Sequence, residues 1–402
     1  MRPIGKKNGK LSLEVKISCV VFLAFLIFMI YAVNFLIPEV IDRNLADLYC
    51  KYVFEWVALP GNILTGIAIG SVTEMIVFTG TVIGVILIFT AIVRTILYIA
   101  GKGNRRFPQH VLNVIVIILV VAIWLSGIYH LMHGINFKRT PAYVRLGIGL
   151  QNEAERPFDE YLTVLNWAYM GMVQNRKKLG EDYAGVAHLS SSYEQCVTDA
   201  NILLDSFSYT YGMDMSSTFI RAKAVSLSNL WSSTHIVGFY DAFLGESNIN
   251  TDYLDILDFP HTLCHEIIHA KGYARESDAN IIAALALIHS DRADFKYAGY
   301  YYIFQNLYPT VSDYAVATGN TIPNYYADEL CSGVITDMRA SFDYWDYIDN
   351  RFMADKIEEI SEEVNNGFLE ANGQEGGTET YHVPPNVFVE FYYMYVAGNT
   401  DG

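Results

Sequence analysis

Within the run from Phe259 to Gly272, His265 and His269 stand four residues apart, and Glu266 follows directly on the first of them. Residues four apart on an α-helix share one face a turn apart, so two imidazole nitrogens at this spacing can close on a single metal ion. The chemistry that such a pair serves is zinc-assisted hydrolysis. The ion lowers the pKa of water to about 7, and a carboxylate beside it takes the released proton and later hands it to a leaving amine. Glu266 occupies that place. An H-E-x-x-H string is short and recurs by chance, in which case the glutamate is a solvated surface residue and the histidines merely pack. Here Leu263, Cys264, Ile267 and Ile268 surround the motif with apolar side chains, which predicts burial on at least one side. A buried glutamate flanked by two buried histidines must be paired or hydrogen-bonded, and a metal site satisfies all three together.

A catalytic zinc site needs a third protein ligand and an open fourth position. Gly272, three residues after His269, is suited to a left-handed helix end that turns the chain back toward the metal. Glu276 comes next and leads a second apolar helix through Ile281, Ile282, Leu285 and Ile288. A third histidine at the metzincin spacing is absent, because Arg275 stands there. Glu276 is the expected third ligand, Asp278 its rival, and helix capping by both acids the non-metal alternative. The string from Glu276 to Asn280 is similar to the E-x-x-A-D string of several glutamate zincins, in which the residue four after the ligand supports a histidine; the likeness gives Asn280 that supporting role. Among the other histidines, His261 reads as a residue of the first helical turn, His235 as part of an extended stretch, and His289 as a helix-end residue suited to the dipole. His235 and the tyrosines near Tyr300 are the candidates for stabilising an oxyanion.

The elements that must hold this site begin in a membrane. Three stretches, about 17–37, 75–99 and 111–132, are nearly uncharged and meet the roughly 20-residue requirement for crossing a bilayer. The run Val20 to Ile30 is apolar on all faces, as a lipid-facing helix must be. Arg2, Lys6, Lys7, Lys10 and Lys16 precede the first stretch, while Arg94, Lys102, Arg105 and Arg106 crowd the connection between the second and third. Both segments are therefore expected in the cytoplasm, with the 38–74 loop and everything after the third span outside it. No small-residue cleavage site follows the first stretch, which reads as an uncleaved anchor. The expected organisation is a transmembrane region over 1–133 and an extracytoplasmic domain over 134–402.

Charge divides at the same place. Residues up to His133 carry 11 Lys and Arg against 6 Asp and Glu; those beyond carry 16 against 37, a formal charge of −21. That surface repels nucleic acid. The five cysteines show no paired spacing, so no disulfide framework is expected. In the outer part, helical periodicity runs from about Pro157 to Lys178, and a Ser191/Glu194 capping box opens a helix reaching Phe207. Short strands are expected over 236–240 and 246–250 around Gly245, of the kind that lies beside the motif helix in zinc peptidases and pairs with extended substrate. A tyrosine-rich helix follows over 293–308, and a charged one around Lys356 to Glu363.

Taken together these residues resemble a bacterial family of uncharacterised membrane proteins, DUF3810. The likeness rests on the three spans, Gly134 to Arg139, Phe243 to Asn250, His265 through Tyr300, and the later Asn365, Gly373, Gly377 and Tyr381. Phe137 and Asp278 depart from the family's usual Tyr and Glu. The resemblance implies a mainly α membrane protein in a bacterial plasma membrane, with three amino-terminal spans and an α+β, gluzincin-type zincin-like domain. The expected activity is hydrolysis of a peptide or protein substrate with one Zn2+. Its ligands are His265, His269 and Glu276, its base is Glu266, and Asn280 supports them. A zinc-stabilised, non-catalytic binding or assembly protein of the envelope is the alternative.

Overall fold

The computed structural model describes residues 13–102, 107–149, 156–374 and 376–399. Arg2, Lys6, Lys7, Lys10, Arg105 and Arg106, on which the expected orientation leans, lie outside them. Among the described residues, three helices are long and apolar enough to cross a membrane: Ile17–Val40, Val72–Ile99 and Val111–Met132. The first comprises α1 (Leu13–Tyr31) and the π and α turns after it; the others are α4 (Val72–Ile99) and α5 (Phe107–Met132). Their large apolar side chains, among them Phe25, Val85, Phe89 and Ile118, are exposed all round, which is stable only where lipid is the neighbour.

Between the first two spans the chain forms α2 (Arg43–Tyr52), capped by the Asp42 carboxylate, and α3 (Phe54–Ile67). This segment packs on the later part of the chain. Asp47 accepts from the Thr140 amide and hydroxyl and pairs with Arg145. Gly61 meets the Leu244 carbonyl so closely that a Cβ would lie 2.3 Å from it.

The body beyond the spans is mainly helical. Its frame is α6 (Phe158–Arg176), α7 (Tyr193–Tyr211), α8 (Phe259–Ala270), α9 (Glu276–Ile288), α10 (Ala293–Thr318), α11 (Ser332–Asp349) and α12 (Ala354–Ala371). Every residue of α8, and all of α9 but Ser277, is buried. The cap of α7 is Ser192, one residue later than the sequence pattern predicts, because the Ser191 hydroxyl is held by Arg292 instead. The tyrosine-rich helix α10 runs ten residues past Tyr308, through Pro309, to a left-handed stop at Gly319. Packing along α6 outweighs the backbone bond that proline removes.

A small sheet of order β1-β3-β2 lies beside the motif helix: β1 (Lys223–Ala224) is parallel and β2 (Gly238–Asp241) antiparallel to β3 (Glu246–Ile249). The hairpin turns at Gly245 with φ +70°, and the Asp241 carboxylate accepts from the Phe243 and Leu244 amides. On β3, Glu246 reaches out of the body. Its carboxylate accepts from the Val72 and Thr73 amides and from the Ser71 and Thr73 hydroxyls at the start of α4. Reciprocally, the Glu74 carboxylate accepts from the Ser226 and Leu227 amides at 2.7 Å each. A carboxylate at a helix N-terminus is favoured by the free amides and the dipole, so the second span and the sheet hold each other's ends. Lys138 likewise donates to the Pro38 and Ile41 carbonyls at the end of the first span.

One extended reading is corrected. His235 lies outside the strand, in the left-handed region at φ +56°, with its ring stacked on Trp345 and Nε2 2.8 Å from Asp349. Tyr300 is also turned away, packed edge-on to Trp167. Neither residue is placed to stabilise an oxyanion at the motif.

Candidate functional site

The helix α8 opens with Phe259 and Pro260, a proline where no amide partner is lost, and runs through His265 and His269. The two rings converge, Nε2 to Nε2 at 2.9 Å. Each is fixed through its other nitrogen: His265 Nδ1 lies 2.7 Å from Asn280 Oδ1, and His269 Nδ1 lies 2.6 Å from the Tyr273 carbonyl. Partners of this kind hold Nδ1 as the donor and leave the Nε2 lone pair facing the cluster.

The third group arrives by a chain reversal. Gly272 adopts φ +103°, the Tyr273 amide returns to the Ile268 carbonyl, and α9 begins at Glu276. Two buried cations receive the end of α8. Arg139 donates to the Gly272, Met213 and Asp214 carbonyls with its guanidinium over the Tyr273 ring. Lys271 donates to Asp205 and to the Ser216 and Thr218 carbonyls. Glu276 Oε2 then stands 3.0 Å from His265 Nε2 and 3.3 Å from His269 Nε2. Gly272→Val would force a β-branched residue into left-handed backbone, at about 1–2 kcal/mol, with its Cβ 3.0 Å from the Phe54 ring. We expect at least a tenfold loss of zinc affinity in a chelator competition. An unchanged affinity would mean that the reversal does not deliver Glu276.

The two later residues separate clearly. Asp278 turns to the other side, accepting from the Ala142 amide and from Arg275, both at 2.8 Å, and takes no part in the cluster. Asn280 stands at the site and also donates to the Tyr381 carbonyl, so its amide orients the His265 ring between two fixed points. Asn280→Ala should lower zinc affinity about 10–100-fold while leaving the three donors in place; isothermal titration of the variant would check it. His261, one turn before His265, instead stacks on Tyr302 at 3.9 Å between ring centroids.

Glu266 sits beside the cluster, 6% exposed, with Oε2 lacking any hydrogen-bond partner among the described residues. Its backbone carbonyl accepts from Ser247 of β3. Across from it on β2, Gly238 leaves the space: a Cβ there would lie 2.8 Å from Glu266 Cγ and 2.9 Å from Oε1. Burial pushes the Glu266 carboxyl up to about 7, with His265 and His269 pulling the other way. Burial would also raise Glu276, yet His269 and His265 hold it well below the usual carboxylate range. His269, against its own burial, is drawn up to about 9 by Glu276. Two imidazoles and a carboxylate oxygen turned inward at such distances call for a positive charge between them.

A divalent cation suits the donor set. The three donor atoms lie within 4.8 Å of one another. Bonds of about 2.1 Å in a tetrahedron imply ligand separations of roughly 3.4 Å, and those found here, 2.9, 3.0 and 3.3 Å, are slightly tighter. His265, His269 and Glu276 would hold the ion, and Glu266 would stand next to it.

Three further groups reach the site from segments far apart in sequence. His133, the residue after the third span, is buried with its ring 6.0 Å from that of His269, and its Nδ1 has no partner among the described residues. Tyr240 lies 5.3 Å from the His133 ring and 6.2 Å from the His269 ring, with its hydroxyl also unpartnered among the described residues. Tyr381 is nearly parallel to His265 at 6.3 Å between ring centroids, and its backbone carbonyl accepts from Asn280. Strand alternation put Tyr240 on the face of Gly238, a pointer that was available in the sequence. Tyr381 is among the residues that carry the family likeness, with no role attached to it there, and nothing local marks His133.

A family model described as a protein of unknown function, DUF3810, matches residues 49–387. No curated protein and no solved structure matches the chain. The match encloses the second and third spans, the sheet, α8, α9 and every residue of the cluster, and on that extent the chain belongs to the DUF3810 family.

Proposed function

We propose that this chain is a membrane-anchored metallopeptidase of zincin type that hydrolyses peptide bonds with one zinc ion. The observation that carries the reading is a buried His265/His269/Glu276 cluster with both histidines fixed at Nδ1, beside a glutamate that has one carboxylate oxygen free. A zinc ion bound there supplies Lewis acidity and makes water a nucleophile near neutral pH. Glu266 accepts the proton that the attacking water gives up as its oxygen bonds to the scissile carbonyl carbon. The same carboxyl then delivers that proton to the amide nitrogen as the carbon–nitrogen bond breaks, leaving a carboxylic acid and an amine. Burial holds the Tyr240 hydroxyl protonated and pushes His133 down to about 3, so both are neutral donors available to the developing oxyanion. β2 is one of the sheet's two outer strands and carries Gly238 against Glu266, so its free edge is the one on which an extended substrate would pair.

A non-catalytic, zinc-stabilised envelope protein is favoured by one observation, the low exposure of all four site residues. It gives no use to a glutamate oxygen without a partner. Elemental analysis of the full-length protein in detergent, followed by incubation with a peptide mixture, decides between them. One zinc per chain with cleavage supports the peptidase; one zinc per chain and an intact mixture would leave the binding protein.

The reading places the body outside the cytoplasm of a bacterial plasma membrane, on the strength of the basic segments before the first span and between the second and third. Alkaline phosphatase fused after Gly134 should be active. An inactive fusion, with a cytoplasm-dependent reporter active at the same point, would reverse the orientation.

A further inference from the structure

The same-side ends of the spans converge on the cluster. The third span ends at Met132, and the ring of the next residue, His133, is 6.0 Å from that of His269. One turn back, Tyr129 packs against Phe243 on the hairpin turn and Phe368 on α12, and its hydroxyl bonds Asn372. The second span begins at Val72, where Glu246 receives its amides; the adjacent strand residue, Ser247, donates to the backbone carbonyl of Glu266. Two neighbouring residues on one strand therefore separate the base from the start of a span.

The height above the bilayer follows. The third span, Val111–Met132, has 22 residues, and at 1.5 Å each it is about 33 Å long, the thickness of a hydrocarbon core. Met132, buried against Phe54 and Ala58, thus lies at or just above the hydrocarbon edge. One Cα step, an imidazole and the gap to the His269 ring bring the cluster to on the order of 15 Å from that edge, a distance an extended chain crosses in roughly five residues. Segments next to the span ends carry exposed apolar side chains: Trp56 and Ile67 on α3, Ile69 just before Ser71, and Phe243. Such a rim suits a lipid–water boundary.

We infer that the substrate is a polypeptide itself anchored in the bilayer, cut within roughly six residues of the membrane surface. The inference rests on the peptidase reading. An anchored substrate meets the site in two dimensions, with its juxtamembrane backbone already at the height of β2 and Glu266, and so at a high effective concentration. A soluble peptide has neither advantage.

The test uses the full-length protein in phosphatidylcholine vesicles. A single-pass probe carries a flexible 40-residue outer segment of mixed sequence, and the same segment is supplied as a free peptide. With zinc-loaded protein, mass spectrometry should find cuts confined to the first six or so residues beyond the probe's span, at a rate at least tenfold above the free peptide at matched total concentration. With Glu266→Gln, a photo-crosslinker placed 3 residues beyond the span should be captured on the protein, and one placed 24 residues beyond should not. Cuts spread along the segment, or equal cutting of the free peptide, would overturn the inference and leave the peptidase standing. Zinc-loaded protein that cuts neither probe would overturn both.

Discussion

Glu266→Gln should retain one zinc per chain and the wild-type melting temperature while losing peptide hydrolysis by at least 1,000-fold (about 4 kcal/mol of transition-state stabilisation). The amide keeps the shape of the side chain and the space left by Gly238, and it touches none of the three donor atoms. What it loses is the capacity to take a proton from water and give it to the leaving nitrogen. Replacing a buried carboxyl whose free oxygen has no partner also removes a cost of burial, so the variant should fold at least as well. Zinc content by elemental analysis and turnover on a cleaved peptide make the measurement. Equal turnover in variant and wild type would remove Glu266 from the mechanism and the peptidase reading with it.

Arg139→Ala should be the most damaging substitution away from the donors, at about 3–5 kcal/mol of stability. The guanidinium is fully buried, joins the Gly272 carbonyl to those of Met213 and Asp214, and lies 3.6 Å from the centre of the Tyr273 ring. Without it, three carbonyls lose a charged donor and the turn that presents Glu276 loses its outer support. Arg139→Lys should rescue little, because one ammonium cannot reproduce a planar fork that spans two segments. Thermal unfolding with and without excess zinc reads both effects. A melting temperature within a degree or two of wild type would show that the turn holds itself.

The donors could be read from the sequence because their geometry is local. The two histidines are related by the helical repeat, and Glu276 follows from one glycine that ends a helix. Asn280 was read from a likeness, and the structure sets it against His265 at the end of a hydrogen bond. The spans were legible for a similar reason, since twenty apolar residues in a row carry their own meaning. What could not be read depends on partners distant in sequence. His133 is an ordinary residue after a helix until the fold sets it beside His269. Ser191 has the pattern of a cap but is taken by Arg292, and Ser192 serves instead. His235 sits in a run of β-formers, yet Trp345 and Asp349 draw it into left-handed backbone. Pro309 should end a helix, and α6 keeps that helix going.

The pairing of Glu246 with the start of the second span sets an order of events in biogenesis. Residues 71–74 leave the ribosome some 170 residues before Glu246, so the span can be inserted before the strand that clasps it has been made. Until that strand docks, the buried Glu246 carboxylate has none of its four donors, and Ser247 has no settled frame from which to hold the Glu266 carbonyl. The frame around the cluster would therefore be completed only once the strand is seated on the chain's own inserted helices. By the same logic, a water-soluble fragment beginning after residue 133 would carry a stranded carboxylate and an unbraced motif helix, and its silence in an assay would say nothing about the intact protein.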